Sequence, residues 1–218
     1  MRPVLALLPL ALGACTPCDA SVDSQASFDP LCGCPMLNLP AAAITTEAGL
    51  AALLHEVQIA LYPEQDRASI AVAAHDDLQF FRAWTELDTV GNEPYARSYT
   101  IEYDPVVLSD PPSPEALAAV LAHELGHIDD YLQMDSAALL DFAVWYGTED
   151  PTTSASLAEY ERATDEKALA RGCAEGLSAM RTWIYAHVDA DRLAEKQKDY
   201  YTPDEITSWV EAHGSCDG

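Results

Sequence analysis

The part of this sequence best equipped for chemistry is His123-Glu124-Leu125-Gly126-His127, two histidines four residues apart with a glutamate directly after the first. On a helix, side chains at that spacing stand one above the other on the same face, so two imidazoles can reach one metal ion. Glu124 projects from the adjoining surface, where it can reach the open side of the metal without ligating it. Zinc suits neutral imidazoles and lowers the pKa of a bound water toward about 7. A neighbouring carboxylate can take that proton as the oxygen attacks a carbonyl, then pass it to the leaving amine. The expected activity is hydrolysis of a peptide bond, with zinc as cofactor and a peptide or protein as substrate. The plain alternative is a surface helix with two exposed histidines. Gly126 argues against it, because glycine is costly inside a helix unless a close neighbour needs the space.

A catalytic zinc site takes a third protein ligand. The segment Glu159-Tyr160-Glu161-Arg162-Ala163-Thr164-Asp165 supplies Glu161 and Asp165, again four apart on one face. One can ligate while the other accepts a hydrogen bond from a ligand histidine, orienting the ring and raising its basicity. Glu161 is the first choice as ligand. Glu159 points to nearly the opposite side of the helix; Asp165 and Glu166 are further candidates. Asp129 and Asp130 read as solvated or supporting groups. Tyr131, Tyr146, Tyr160 and His187 are the candidate donors to a developing oxyanion.

The pattern His123-Glu124-x-x-His127 followed by Glu161-x-x-x-Asp165 resembles the gluzincins, the thermolysin-like zinc peptidases. The resemblance implies zinc ligation by His123, His127 and Glu161, a general base at Glu124, and support of a ligand histidine by Asp165. It implies a zincin-like fold, most similar to the minimal gluzincins, over roughly residues 45–187. It also implies that the strand before the motif helix, residues 95–103, lines the cleft and pairs with extended substrate. The metzincin pattern is absent, because no Gly and His follow His127 at the required spacing. Gly147-Thr148-Glu149-Asp150 is similar to part of the aspartate-ligand zincin signature but lacks the Tyr-Gly that should follow, so Asp150 stands as an alternative ligand.

The elements that must hold these groups can be read from pattern. Thr46 can cap a helix in which Leu50, Leu53, Leu54, Val57 and Leu61 recur at helical spacing, ended by Pro63. Residues 69–74 and 80–87 read as short strands, and residues 95–103 alternate, with Tyr99, Ile101 and Tyr103 on one face. Ser113-Pro114-Glu115 opens the motif helix with a capping hydroxyl, a proline at the first position and an acid in the first turn. That helix should run to about Met134. Further helices are expected over 136–146, 154–171, 175–187 and from Thr202 to Gly214. The fold class is α+β: a small, mainly antiparallel sheet packed on the active-site helix, with a helical C-terminal half.

Composition bounds the remaining readings. The chain has 218 residues, 49% of them hydrophobic, with a formal charge of −25. A core is affordable, and so acidic a surface repels phosphate backbones, so no nucleic-acid partner is expected. Arg2 followed by a mostly apolar run to Leu12 reads as a signal peptide over residues 1–14, too short to span a membrane. The ending Leu12-Gly13-Ala14-Cys15 resembles the bacterial lipobox, which implies export and lipidation of Cys15, with the outer membrane as destination in a Gram-negative cell. The alternative is an ordinary signal and a free secreted protein. Residues 15–44, with their Cys, Pro, Ser and Asp, form a tether, and residues 45–218 the metallopeptidase domain. Cysteine use suits an oxidising compartment; Cys173 with Cys216, and Cys18 with Cys32 or Cys34, are the pairings expected, although connectivity is not legible in sequence. Two other functions compete. One is a catalytically inactive zincin-fold lipoprotein acting as a binding module, which the intact Glu124 opposes. The other is a calcium site, for which no Asp-x-Asp-x-Asp-Gly loop exists.

Overall fold

The computed structural model describes residues 37–76, 80–148 and 155–214. The expected signal segment, most of the tether, Cys15 and Asp150 lie outside the described residues. The class is α+β, as the pattern of elements implied.

Helix α1 (Glu47–Leu61) begins where Thr46 accepts a hydrogen bond from the Gly49 amide, and its apolar stripe Leu50, Leu53, Leu54, Val57 and Leu61 is buried. After a 3-10 turn at Pro63–Gln65 come strands β1 (Ser69–Ala74), β2 (Phe81–Thr85) and β3 (Ser98–Tyr103). The sheet order is β1-β3-β2. β3 pairs with β1 in parallel and with β2 in antiparallel register, Ala83 facing Ile101. The sheet is therefore mixed rather than mainly antiparallel. The strand expected to line the cleft is the central one, and β1 and β2 form the two edges. Alternation in residues 98–103 sorts side chains between faces correctly, with Tyr99, Ile101 and Tyr103 all buried, but a period of two carries no information about which strand lies on either side. Phe80, just before β2, is buried with φ 64°, a left-handed conformation that a bulky residue keeps only when packing demands it. Its ring meets Trp183 edge-on, with centroids 5.3 Å apart.

A single helical turn, α2 (Val106–Ser109), leads to α3 (Pro114–Gln133), which carries the histidines. Ser113 Oγ accepts from the Ala116 amide at 3.2 Å and Pro114 takes the first position, as the sequence proposed. Every residue from Ala116 to Ile128 is buried. An α-helix without a wet face must be enclosed on all sides, and α3 packs against α1, β2, α5 and α6. Alanines and Gly126 occupy the faces where its neighbours come close.

The rest of the described chain is helical: α4 (Ser136–Thr148), α5 (Ala155–Leu169), α6 (Ala174–His187), α7 (Ala190–Asp199) and α8 (Pro203–His213). α7 has no counterpart in the sequence reading. α6 lies so near α3 that a Cβ on Gly176 would fall on the Glu115 carbonyl oxygen and within 2.7 Å of the Ala119 Cβ. One buried apolar cluster, from Ile44 to Ile206, joins these elements apart from α7. Cys173 is disulfide-bonded; Cys216, the partner expected for it, is outside the described residues. Among the described residues no helix is long and apolar enough to cross a membrane.

Candidate metal centre

α3 and α5 cross with their functional faces together, and two contacts make the approach possible. A Cβ on Gly126 would lie 3.0 Å from the Thr164 methyl carbon of α5, which accounts for the glycine between the histidines. Lys167 of α5 donates to the Gly126 carbonyl at 3.0 Å and pairs with Asp130 at 2.5 Å. On the far side, Tyr62 Oη donates to the Ala122 carbonyl at 2.7 Å and Gln65 Nε2 to the Leu125 carbonyl at 2.9 Å. The backbone bearing the motif is thus pinned from both flanks.

Three donor atoms converge between the helices. His123 Nε2 and His127 Nε2 are 3.1 Å apart, and Glu161 Oε2 is 3.3 Å from each. All three residues are buried and offer their ligand atoms within 4.8 Å of one another. Each ligand is held from behind. His123 Nδ1 lies 2.8 Å from Asp165 Oδ1, which as a carboxylate accepts, so the ring's proton sits there and the Nε2 lone pair faces the cluster. His127 Nδ1 lies 2.9 Å from Tyr160 Oη, with Thr164 Oγ1 at 3.4 Å. Tyr146 Oη donates to Glu161 Oε1 at 2.7 Å, and Glu161 Oε2 is left buried without a hydrogen-bond partner. A buried carboxylate oxygen without a donor is costly. Two imidazole lone pairs and that oxygen directed at one point make a donor set that a cation satisfies, and the residues fit a His₂Glu site.

The electrostatics agree. Burial pushes the Glu161 carboxyl up, but the two histidines overcome it and hold it well below the usual carboxylate range. Burial also raises Asp165, against which Arg181 and then His123 prevail; Arg181 Nη2 donates to Asp165 Oδ1 at 2.6 Å and the Tyr201 amide to Oδ2 at 2.9 Å. Burial opposes charge on His123, yet its hydrogen bonds to Asp165 and Glu161 carry it up to about 9. The pocket therefore demands positive charge, from protons or from a metal ion that displaces them. Glu124 is different. It is 4% exposed, its Oε2 has no partner, and burial raises its carboxyl despite the two histidines.

Glu124, His127 and Glu161 open onto a cleft of about 210 Å³ lined mostly by apolar side chains, among them Phe81, Trp84, Leu87, Tyr131, Leu139 and Phe142. β2 forms one wall, and α4, which also supplies Tyr146, the other.

The structure brings together His123, Glu124, His127, Glu161 and Asp165. Glu159 is exposed. Glu166 accepts from Tyr201 Oη at 2.8 Å, away from the cluster. Asp129 and Asp130 face Lys167. Of the candidate oxyanion donors, Tyr146 and Tyr160 are engaged with the ligands, Tyr131 Oη reaches the Ala83 carbonyl at 3.4 Å, and His187 lies elsewhere, bonded to Asp110. The sequence reading missed Tyr200, whose ring centroid is 5.7 Å from that of His123, and Arg181, which anchors Asp165. Comparison with protein-family models, with curated proteins and with solved structures finds no match to this chain.

Proposed function

We propose that this chain is a zinc-dependent peptidase of the cell envelope, with a zincin-like fold of the gluzincin type, exported and anchored by lipid at Cys15. One observation carries the reading: a convergent His123, His127, Glu161 donor set stands beside a buried carboxylate, Glu124, one of whose oxygens has no protein partner. A site that only binds metal needs the first and has no use for the second.

Zinc held by those three residues would polarise a substrate carbonyl and make a coordinated water acidic near neutral pH. The remaining tasks fall to the chain. Glu124 receives the proton of the attacking water and delivers it to the departing amine; its raised pKa suits both directions of transfer. Asp165 and Tyr160 fix the two imidazole rings, and Tyr146 fixes the Glu161 carboxylate, so the ligands need little rearrangement. The cleft takes apolar side chains from the substrate and keeps bulk water from the reacting bond. β2 is the edge strand that lines the cleft, and apart from Ala83, which meets Tyr131 and Glu124, it offers main-chain groups to an extended peptide.

The test is metal analysis followed by cleavage of an unstructured protein such as casein. Wild type should hold about one zinc per chain, lost in His123→Ala. Glu124→Gln should keep the zinc and lose cleavage by a factor of about 10² or more. A folded wild type that takes up no zinc, or full activity in Glu124→Gln, would refute the proposal.

A further inference from the structure

Beside Glu124 and His123, which both line it, a second cavity of about 20 Å³ is bounded by apolar side chains and by three residues of another character, Lys196, Arg181 and Tyr200. It has room for about one water-sized atom. Lysine is almost never fully buried unless paired. Lys196 is 8% exposed, and among the described residues its ammonium has no hydrogen-bond acceptor and no ion pair. It rests over the Tyr200 ring, 5.1 Å from the centroid. The acids beside it on α7 are drawn to other cations, Glu195 to Arg192 at 3.5 Å and Asp199 to Lys198 at 3.3 Å, although Glu195 also acts on Lys196 through space and Asp199 Oδ1 makes no hydrogen bond. Arg181 spends Nη2 on Asp165, while its Nε is buried with no acceptor, and its guanidinium carbon lies 4.4 Å from the same Tyr200 ring. The Lys196 ammonium and the Arg181 Nε, neither with a hydrogen-bond acceptor among the described residues, thus share one small cavity, and Tyr200 stands with Phe81 and Glu124 between it and the main cleft, lining both.

We infer that the corner made by Lys196, Arg181 and Tyr200 receives one oxygen of a substrate carboxylate, so that the chain prefers peptides carrying a carboxylate near the bond it cuts. The inference rests on the peptidase reading for its substrate class, and on the unpaired donors for its chemistry. Charge-assisted hydrogen bonds to a carboxylate are the strong ones, and both donor types make them. The balance of charge points the same way. Asp165 faces Arg181, Glu161 acts on Lys196 and Glu124 lines the cavity, while Glu195 is matched by Arg192; a divalent ion on the histidines would leave one positive charge over, which a carboxylate neutralises. Burial lowers the Lys196 pKa, as befits an ammonium whose partner comes from outside. A carboxylate at the chain end and one on an acidic side chain offer the same chemistry.

The experiment separates these sources and separates the corner from the peptidase. Calorimetry on zinc-loaded Glu124→Gln protein compares an N-acetylated tripeptide of alanine, phenylalanine and leucine as free acid, as C-terminal amide, and as the amide with glutamate replacing leucine. The free acid should bind about tenfold tighter than the plain amide, and adding Lys196→Met should bring the two within about twofold. The same tightening in the glutamate amide alone would keep the corner and assign the carboxylate to a side chain. Equal binding of all three would overturn the inference, and so would a preference that survives Lys196→Met. Should Lys196→Met fail to fold, the acid and amide comparison with lysine present still decides. Cleavage of these peptides by wild type without any carboxylate preference would remove the corner and spare the peptidase; preferential binding with no cleavage would do the reverse.

Discussion

Replacing Asp165 by asparagine keeps the shape of the side chain and removes its charge. Asp165 is fully enclosed and Arg181 is 3% exposed, so solvent screening takes little from their interaction. The asparagine can still accept from the Tyr201 amide, but the guanidinium is left buried without a counter-charge. Breaking a buried pair in this way costs about 3–5 kcal/mol. For a chain of this length each kcal/mol moves Tm by about 2–4 °C, so Asp165→Asn should melt roughly 6–20 °C below wild type. Arg181→Met keeps the bulk of the stem and leaves Asp165 with His123 and the Tyr201 amide, so it should cost less. The double variant buries neither charge, and its destabilisation should fall short of the sum by about 2–3 kcal/mol. The assay is urea and thermal unfolding of all four proteins after chelation, which keeps metal binding out of the comparison. Additivity within about 0.5 kcal/mol would refute the coupling and with it the role assigned to Arg181.

Further expectations concern the site and the helix packing around it. Glu161→Ala should abolish stoichiometric zinc, whereas Glu159→Ala, on the exposed side of the same helix, should leave it unchanged; metal analysis of both distinguishes the ligand from its neighbour. Tyr160→Phe removes the hydroxyl behind His127 and should weaken zinc binding about tenfold or more in a competition titration with a chelator. Gly176→Ala would gain up to about 1 kcal/mol from helix propensity, but the new methyl meets a backbone carbonyl that cannot turn away. Overpacking of this sort costs about 1–3 kcal/mol, so the variant should melt lower than wild type, and a higher Tm would show that α3 and α6 separate easily.

Legibility in sequence followed the periodicities. The start of α3 was plain because Ser113 and Pro114 act through local geometry, and the motif was plain because a spacing of four on a helix is itself a statement about space. Glu161 and Asp165 were found by the same rule. Sheet order was not legible: the alternation of Tyr99, Ile101 and Tyr103 sorts faces but does not say that β3 lies between β1 and β2. α7 escaped for a different reason. Its buried residues are Lys196 and Asp199, types that pattern reading assigns to water, so no apolar stripe announced it. Tyr200 follows directly, and with it went the cationic corner. Residues that a binding site withholds from the core are the ones a hydrophobic period passes over.

The enclosure of α3 bears on the order in which the molecule comes apart. A helix with one wet face can fray or open segment by segment, releasing its amide protons to exchange while the rest of the domain stands. Between Ala116 and Ile128 no residue is exposed, and the carbonyls of Ala122, Leu125 and Gly126 are tied to side chains from Tyr62, Gln65 and Lys167. Opening that segment means detaching α1, α5, α6 and the sheet together, so its amides exchange with solvent only when the whole domain unfolds. The histidines thus sit in the last part of the fold to loosen, and proteolysis or mild heat will strip the periphery before it disturbs their spacing.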